Sequence, residues 1–282
     1  MKALPRVVLS GAAMALSACS GSGALDARDV YAIVDEVDVA ARAEALVEPT
    51  LLLASGFGNN ASSPEDAATR LTDALTDAPC ITTVRDGASV SIVYSVAEYG
   101  CDISPTLYAV LALSGQQTVT YVQADGASTT IDHAWKGVTN GYLTVDGAAR
   151  VTTAATAYGS SQHLVNALAW VRASDGKSGH GQDDRTSPTS SSMGQQVPPP
   201  TGLRTWESDA GSWEMRSIDA RMQSANAGIP FIGTYAIVTP EMRALTLSIA
   251  DDSNGARMTL TDGNRSYSFG LSTNGGAPSG SP

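Results

Sequence analysis

Between residues 26 and 79 the apolar residues recur at three- and four-residue spacing, and from Cys80 onward the spacing shortens to two. In the first stretch Val30, Ile33, Val34, Val37, Ala41 and Ala45 trace one helical face. Asp26 stands as the N-cap with Asp29 at the third helical position, and Pro49 is expected to end the helix. Asp35, Glu36 and Asp38 then fall on what reads as its solvated face. A second helix opens at Ser63-Pro64-Glu65-Asp66, with a serine cap, a proline at the first position and acids in the first turn, ahead of Ala67, Ala68, Leu71 and Leu75.

The period-two body is punctuated by hairpin dipeptides: Asp-Gly at 86, 125, 146, 175 and 262, and Asn-Gly at 140, 254 and 274. Facing residues of an antiparallel pair have a constant index sum, so each turn makes a testable register. A tight turn at Asp86-Gly87 sets Ile81 against Ile92 and Thr83 against Val90. One at Asn254-Gly255 sets Ile249 against Leu260 and Asp252 against Arg257, and one at Asp262-Gly263 sets Met258 against Tyr267. Residues 244–271 then form a three-stranded meander with Leu245, Leu247, Ile249, Met258, Leu260, Tyr267, Phe269 and Leu271 on one face.

Further strand-like runs are Ser89 to Val96, Thr106 to Leu113, Gln117 to Ala124, Ser128 to His133, Tyr142 to Val145 and Ala149 to Thr156. They continue at His163 to Arg172, Leu203 to Glu207, Ser212 to Ala220 and Phe231 to Val238; His163 to Val171 is apolar on both faces, as a central strand would be. The expected fold is mainly β, an antiparallel meander of about a dozen strands forming an open curved sheet or a sandwich, preceded by one or two short helices. The chain divides into a helical segment (26–79), a first meander (80–173), a Ser/Gly/Pro-rich flexible loop (174–200), a second meander (201–272) and a disordered tail (273–282).

Ahead of the helices, Lys2 and Arg6 precede ten largely apolar residues, Val7 to Leu16, the length of a signal-peptide core and too short to span a bilayer. They run into Leu16-Ser17-Ala18-Cys19, which resembles the lipobox of bacterial lipoproteins. The resemblance implies a signal peptide over 1–18 that is cleaved before Cys19, lipid (palmitate-type acyl chains) on Cys19, and residues 19–25 as a flexible tether. Ser20, where an aspartate would retain the protein in the inner membrane, points to the outer membrane. The alternative is an ordinary secretory peptide cut after Ala18. Gly100-Cys101, Asn140-Gly141 and Val145-Asp146-Gly147 resemble uncharacterised β-rich surface lipoproteins, a likeness that implies no activity.

Charge sharpens this picture. The chain carries 17 Lys+Arg against 28 Asp+Glu, and cleavage before Cys19 would remove Lys2 and Arg6 but no acid, taking the formal charge from -11 to −13. Nucleic acids and anionic membrane surfaces call for clustered cations, so neither is an expected partner. With Cys19 assigned to lipid, Cys80 and Cys101 remain as an even pair in an exported chain and are expected to form a disulfide. Closing that loop of about 22 residues is worth roughly 3 kcal/mol on the chain-entropy account.

Reactive groups are sparse. Gly176-Lys177-Ser178 lacks the first glycine of a phosphate loop, Ser174-Asp175-Gly176-Lys177 has only the spacing of an acyl-serine motif, and no Gly-x-Ser-x-Gly elbow occurs. A hydrolytic triad would need His133 or His163 beside a serine and an aspartate. His180 with Asp183 and Asp184, and Asp251-Asp252 with Asn254, fall short of a cation's ligand count, so no metal or cofactor is expected. Trp206 falls opposite Trp213, with Arg204 opposite Met215; exposed, that pair can stack on a sugar ring, and buried it stabilises its hairpin. The sequence thus leads to a lipid-anchored envelope protein with a non-catalytic binding or structural β domain, held to the membrane through Cys19 and facing an envelope protein, glycan or lipid partner. A carrier for apolar ligands on an open sheet and a surface hydrolase are the alternatives.

Overall fold

A computed structural model describes residues 25–78, 80–95, 101–102, 110–111, 113–125, 128–156, 159–191, 201–222, 231–252 and 255–271. The signal-like segment, Cys19, most of the run Thr106 to Leu113 and the expected tail lie outside them. Two helices, α1 (Ala27–Gly58) and α2 (Pro64–Leu75), precede fifteen strands. The strands are β1 (Ile81–Asp86), β2 (Ser89–Tyr94), β3 (Cys101–Asp102), β4 (Val110–Leu111), β5 (Ser114–Ala124), β6 (Ser128–Thr139), β7 (Leu143–Thr156) and β8 (Gly159–Arg172). The second half holds β9 (Ser178–Ser191), β10 (Thr201–Ser208), β11 (Gly211–Met222), β12 (Phe231–Val238), β13 (Ala244–Asp252), β14 (Gly255–Asp262) and β15 (Arg265–Leu271). Thirteen strands form one open antiparallel meander in which β2 pairs directly with β5, and β3 and β4 form a separate pair.

Helix α1 opens as its sequence dictates: Asp26 Oδ1 accepts from the Asp29 amide at 2.8 Å and the Asp29 carboxylate accepts from the Asp26 amide. It does not stop at Pro49, which lies inside the helix. The apolar pattern resumes beyond it at Leu51, Leu53 and Ala54, all buried, and this packing outweighs the roughly 3 kcal/mol that an internal proline costs. Buried residues occur on every side of α1, with five in a row from Glu36 to Val39 and Ala40, the mark of a helix surrounded by protein.

The sheet does the surrounding. Its inner face is buried from Val90 and Ile92 on β2 to Leu260 on β14 and Phe269 on β15. A helix about 10 Å across can cover thirteen strands only if the sheet curls around it. α1 lies along the strands: Arg172 at the end of β8 bonds Asp35 early in α1, whereas Leu164 near the start of β8 shares a hollow with Glu48 and Leu51. At its beginning α1 also reaches β15, where Tyr31 meets Phe269 edge-on at 5.4 Å and the Tyr267 hydroxyl donates to the Leu25 carbonyl. α2 covers β1, β2 and β5.

The expected faces of the last meander hold, but its registers and that of the first hairpin shift by two. Ile81 faces Tyr94, Thr83 faces Ile92, Ile249 faces Met258, Asp252 faces Gly255, and Met258 faces Phe269. At Gly87 and Gly263, both at φ 58, glycine is the first loop residue and the preceding aspartate still pairs. This is the placement of a type II′ turn rather than the I′ turn the Asp-Gly dipeptide suggests. A shift of two preserves every side chain's face. Asp146-Gly147 is no turn at all: Tyr142 to Val145 and Ala149 to Thr156 fuse into β7. Opposite them β6 bulges between Trp135 and Val138, and Asp146 Oδ1 accepts from the Gly137 amide at 2.8 Å.

The largest correction concerns residues 174–200. Ser178–Ser191 is a fourteen-residue interior strand, β9, paired along most of its length with both β8 and β10. Its inward positions are Gly179, Gly181, Asp183, Arg185 and Ser187, so no apolar alternation marks it. The glycines leave room for the neighbours' indoles: a Cβ on Gly179 would lie 2.7 Å from the Trp170 ring, and one on Gly181 would lie 2.8 Å from the Trp206 Cβ.

Candidate functional site

The polar chemistry of the interior collects where α1 faces β8, β9 and β10. Within Asp35 to Glu48, α1 carries five carboxylates, and the sheet side supplies Arg172, Lys177, Arg185 and Arg204. Asp35, Glu36 and Asp38 are therefore not a solvated face. Asp35 accepts from Arg172 at 2.5 and 3.0 Å and from Lys177 Nζ at 2.7 Å, while Glu36, itself buried, takes a second contact from Lys177 at 2.7 Å. Asp38 is buried and pairs along the helix with Arg42 at 2.7 Å. Burial alone would raise the Asp35 carboxyl, but the combined bonds and charges of Arg172 and Lys177 outweigh it and hold it below its usual range.

Deeper along α1, Glu44 is buried and each of its oxygens meets a guanidinium, Arg185 on one side and Arg204 on the other. Asp183 lies 3.4 Å from Arg185. Burial drives Asp183 up to about 6, Arg185 opposes the rise and Asp184 adds to it. Glu48 is raised by burial against the pull of Arg185, and burial lifts Tyr235 to about 12 against Arg204 and Arg185. Arg204 is drawn down to about 10 by burial and stays charged at neutral pH. A hollow of about 10 Å³ touches Glu44, Asn166, Asp183, Arg204 and Trp206, room for a single water at most.

The remaining interior is neutral. Trp135 Nε1 donates to Thr50 Oγ1 at 3.0 Å and the Tyr121 hydroxyl donates to the Ala54 carbonyl at 2.9 Å. His133, 2% exposed, joins Gln117 through Nδ1 at 3.0 Å, and Gln117 Oε1 accepts from the Tyr94 hydroxyl. Burial pulls His133 down to about 3 against the field of Asp132, so the imidazole is neutral, and its Nε2 has no partner among the described residues.

The other sequence candidates disperse. Trp206 and Trp213 do face each other, with rings 5.6 Å apart and 3° from parallel, but they are 2% and 5% exposed and offer no ring face to a sugar. His163, on the outer face, bonds Asp184 at 2.8 Å; His180 pairs with Glu207 at 3.3 Å; Asp183 points inward, away from both. Strand alternation thus sets Asp183 on the opposite face from His180 and Asp184, and among the described residues no group of three or more His, Cys, Asp or Glu is placed to hold a metal. The side chains of Asp251 and Asp252, and Asn254 altogether, lie outside the described residues. Asp175, in the turn after β8, accepts from Arg172 and caps the Lys177 amide rather than serving any acyl-serine arrangement. Cys80 is disulfide-bonded; the Cys101 side chain lies outside the described residues.

On the outer face a cleft of about 420 Å³ lies across β7 to β10, bordered by Thr144, Asp146, Ala169, His180, Glu207 and Asp209. Its charged walls are exposed side chains, and Asp146 and Glu207 are already engaged with Gly137 and His180. The sequence reading missed Glu44, Arg185 and Arg204; index parity places Arg204 on the same strand face as Trp206, and the burial of Trp206 shows that this face points inward. No protein family, curated protein or solved structure matches the chain. Among the described residues no helix is long and apolar enough to cross a membrane.

Proposed function

We propose that the chain is a lipid-anchored envelope protein whose curled sheet is a non-catalytic structural or binding domain. The observation that carries the reading is the position of α1: the concave face that a carrier would offer to an apolar ligand is filled by the protein's own helix and tied to it at Asp35, Glu36 and Glu44. The histidines lend no support to a hydrolase, since His133 is bonded to Gln117 and His163 to Asp184 at the outer surface. Anchoring rests on Leu16-Ser17-Ala18-Cys19 alone. Expressed in a bacterium, the wild-type chain is expected to take up labelled palmitate and to fractionate with membranes, and Cys19→Ala is expected to abolish both; equal membrane recovery of the two proteins would refute the anchor.

A further inference from the structure

Strand directions gather the turns of the sheet onto two rims. Turns 140–142, 173–177, 209–210, 239–243 and 263–264 share the rim at which α1 begins, as three contacts confirm: Gly211 abuts Pro240, Arg243 bonds Asp262 at 2.6 Å, and Tyr267 bonds Leu25. The turn 87–88 lies on the opposite rim.

On the first rim the turn after β12 presents Met242. It is 74% exposed, the most exposed large apolar side chain among the described residues, and the one described non-glycine residue with a positive φ, 61°. The turn is firmly built: the Thr239 amide donates to the Arg243 carbonyl at 3.0 Å, and the Met242 amide to the Thr239 carbonyl at 2.9 Å. Glycine or asparagine would remove both the backbone strain and the apolar exposure, so the turn itself gains nothing from methionine. A long, flexible, polarisable side chain held outward on a fixed turn is suited to an apolar contact outside the molecule.

The sequence says which contact. Five residues lie between Cys19 and Leu25, six backbone steps that span at most about 21 Å, so a lipid on Cys19 keeps this rim within that distance of the bilayer. We propose that Met242 enters the boundary between headgroups and acyl chains of the membrane that holds Cys19, fixing the domain with its strands directed away from that membrane. The proposal rests on the anchor reading. It is tested with the full-length lipidated chain in phosphatidylcholine–phosphatidylethanolamine vesicles whose acyl chains carry bromine, with a fluorophore on Met242→Cys or, on the far rim, on Ala88→Cys. The label at 242 is expected to be quenched at least about twofold more than the label at 88, and to lose that excess in the Cys19→Ala background. Equal quenching at the two sites in protein that floats with the vesicles overturns the proposal and leaves the anchor standing, whereas protein that does not float overturns both.

Discussion

From Asp35 to Glu48, α1 meets β8, β9 and β10 through carboxylates, guanidinium groups and an ammonium; from Thr50 to Gly58 it meets β5 and β6 through a hydroxyl, a carbonyl and apolar side chains. One helix and one sheet thus join by two kinds of contact. Ion pairs inside protein add little net stability but penalise any other arrangement heavily, because a displaced charge loses its partner without regaining water. Neutral contacts tolerate small displacements and stabilise through buried area. The charged half therefore sets how far α1 is inserted and turned, and the neutral half supplies more of the adhesion.

The largest effect expected is at Glu44. Replacing it with alanine leaves Arg185 and Arg204 buried without their shared carboxylate and should cost about 3–5 kcal/mol in denaturant unfolding. A loss below about 1 kcal/mol would show that the charged half is not tightly specified.

Next come opposite responses to pH. Asp183, near 6 folded and about 4 unfolded, binds its proton more tightly in the fold, so its contribution rises as pH falls from about 6 to 4, by up to about 3 kcal/mol. His133, near 3 folded against 6.5 unfolded, works in reverse and has withdrawn about 2 kcal/mol by pH 5. Asp183→Asn should raise stability at pH 7 to 8 and remove the gain between 6 and 4, whereas His133→Phe should remove the loss below 6.5. Glu44, Arg185, Arg204 and Tyr235 surround Asp183, Glu48 shares Arg185 with it, and Asp184 adds its charge from the outer face, so parallel pH profiles for Asp183→Asn and wild type would mean that this network, and not Asp183, takes up the proton.

Thr50→Val tests the neutral half. It removes the acceptor of Trp135 Nε1 and should cost about 1–3 kcal/mol with no change in the pH profile. The smallest effect is at the helix start, where Asp26→Ala loses the capping box for about 1 kcal/mol, measurable as a fall of a few degrees in Tm.

How far the sequence reveals this fold depends on what marks each segment. The faces of β13 to β15 were legible because Leu245, Leu247, Met258 and Leu260 alternate with Thr, Ser and Arg. β9 was not, because Trp170 and Trp206 occupy the space above Gly179 and Gly181 and its signal lies in other strands. Helix α1 was legible in its first turns and misread after Pro49, where packing prevailed over local propensity. Asp35 and Glu36 looked like a wet surface because their partners, Arg172 and Lys177, are far away in sequence. The Trp206–Trp213 pairing came directly from index parity, and its burial only from the strands around it.

The position of α1 ahead of the sheet in sequence also orders its assembly. The helix is made before the strands, with apolar residues on all sides, yet the arginines that receive Glu44 stand at 185 and 204 and the ring that meets Tyr31 at 269. Nearly the whole polypeptide must be synthesised before α1 is enclosed, although each hairpin of the meander can close locally. In the interval the nascent segment leaves apolar surface uncovered, the condition under which incompletely folded chains associate.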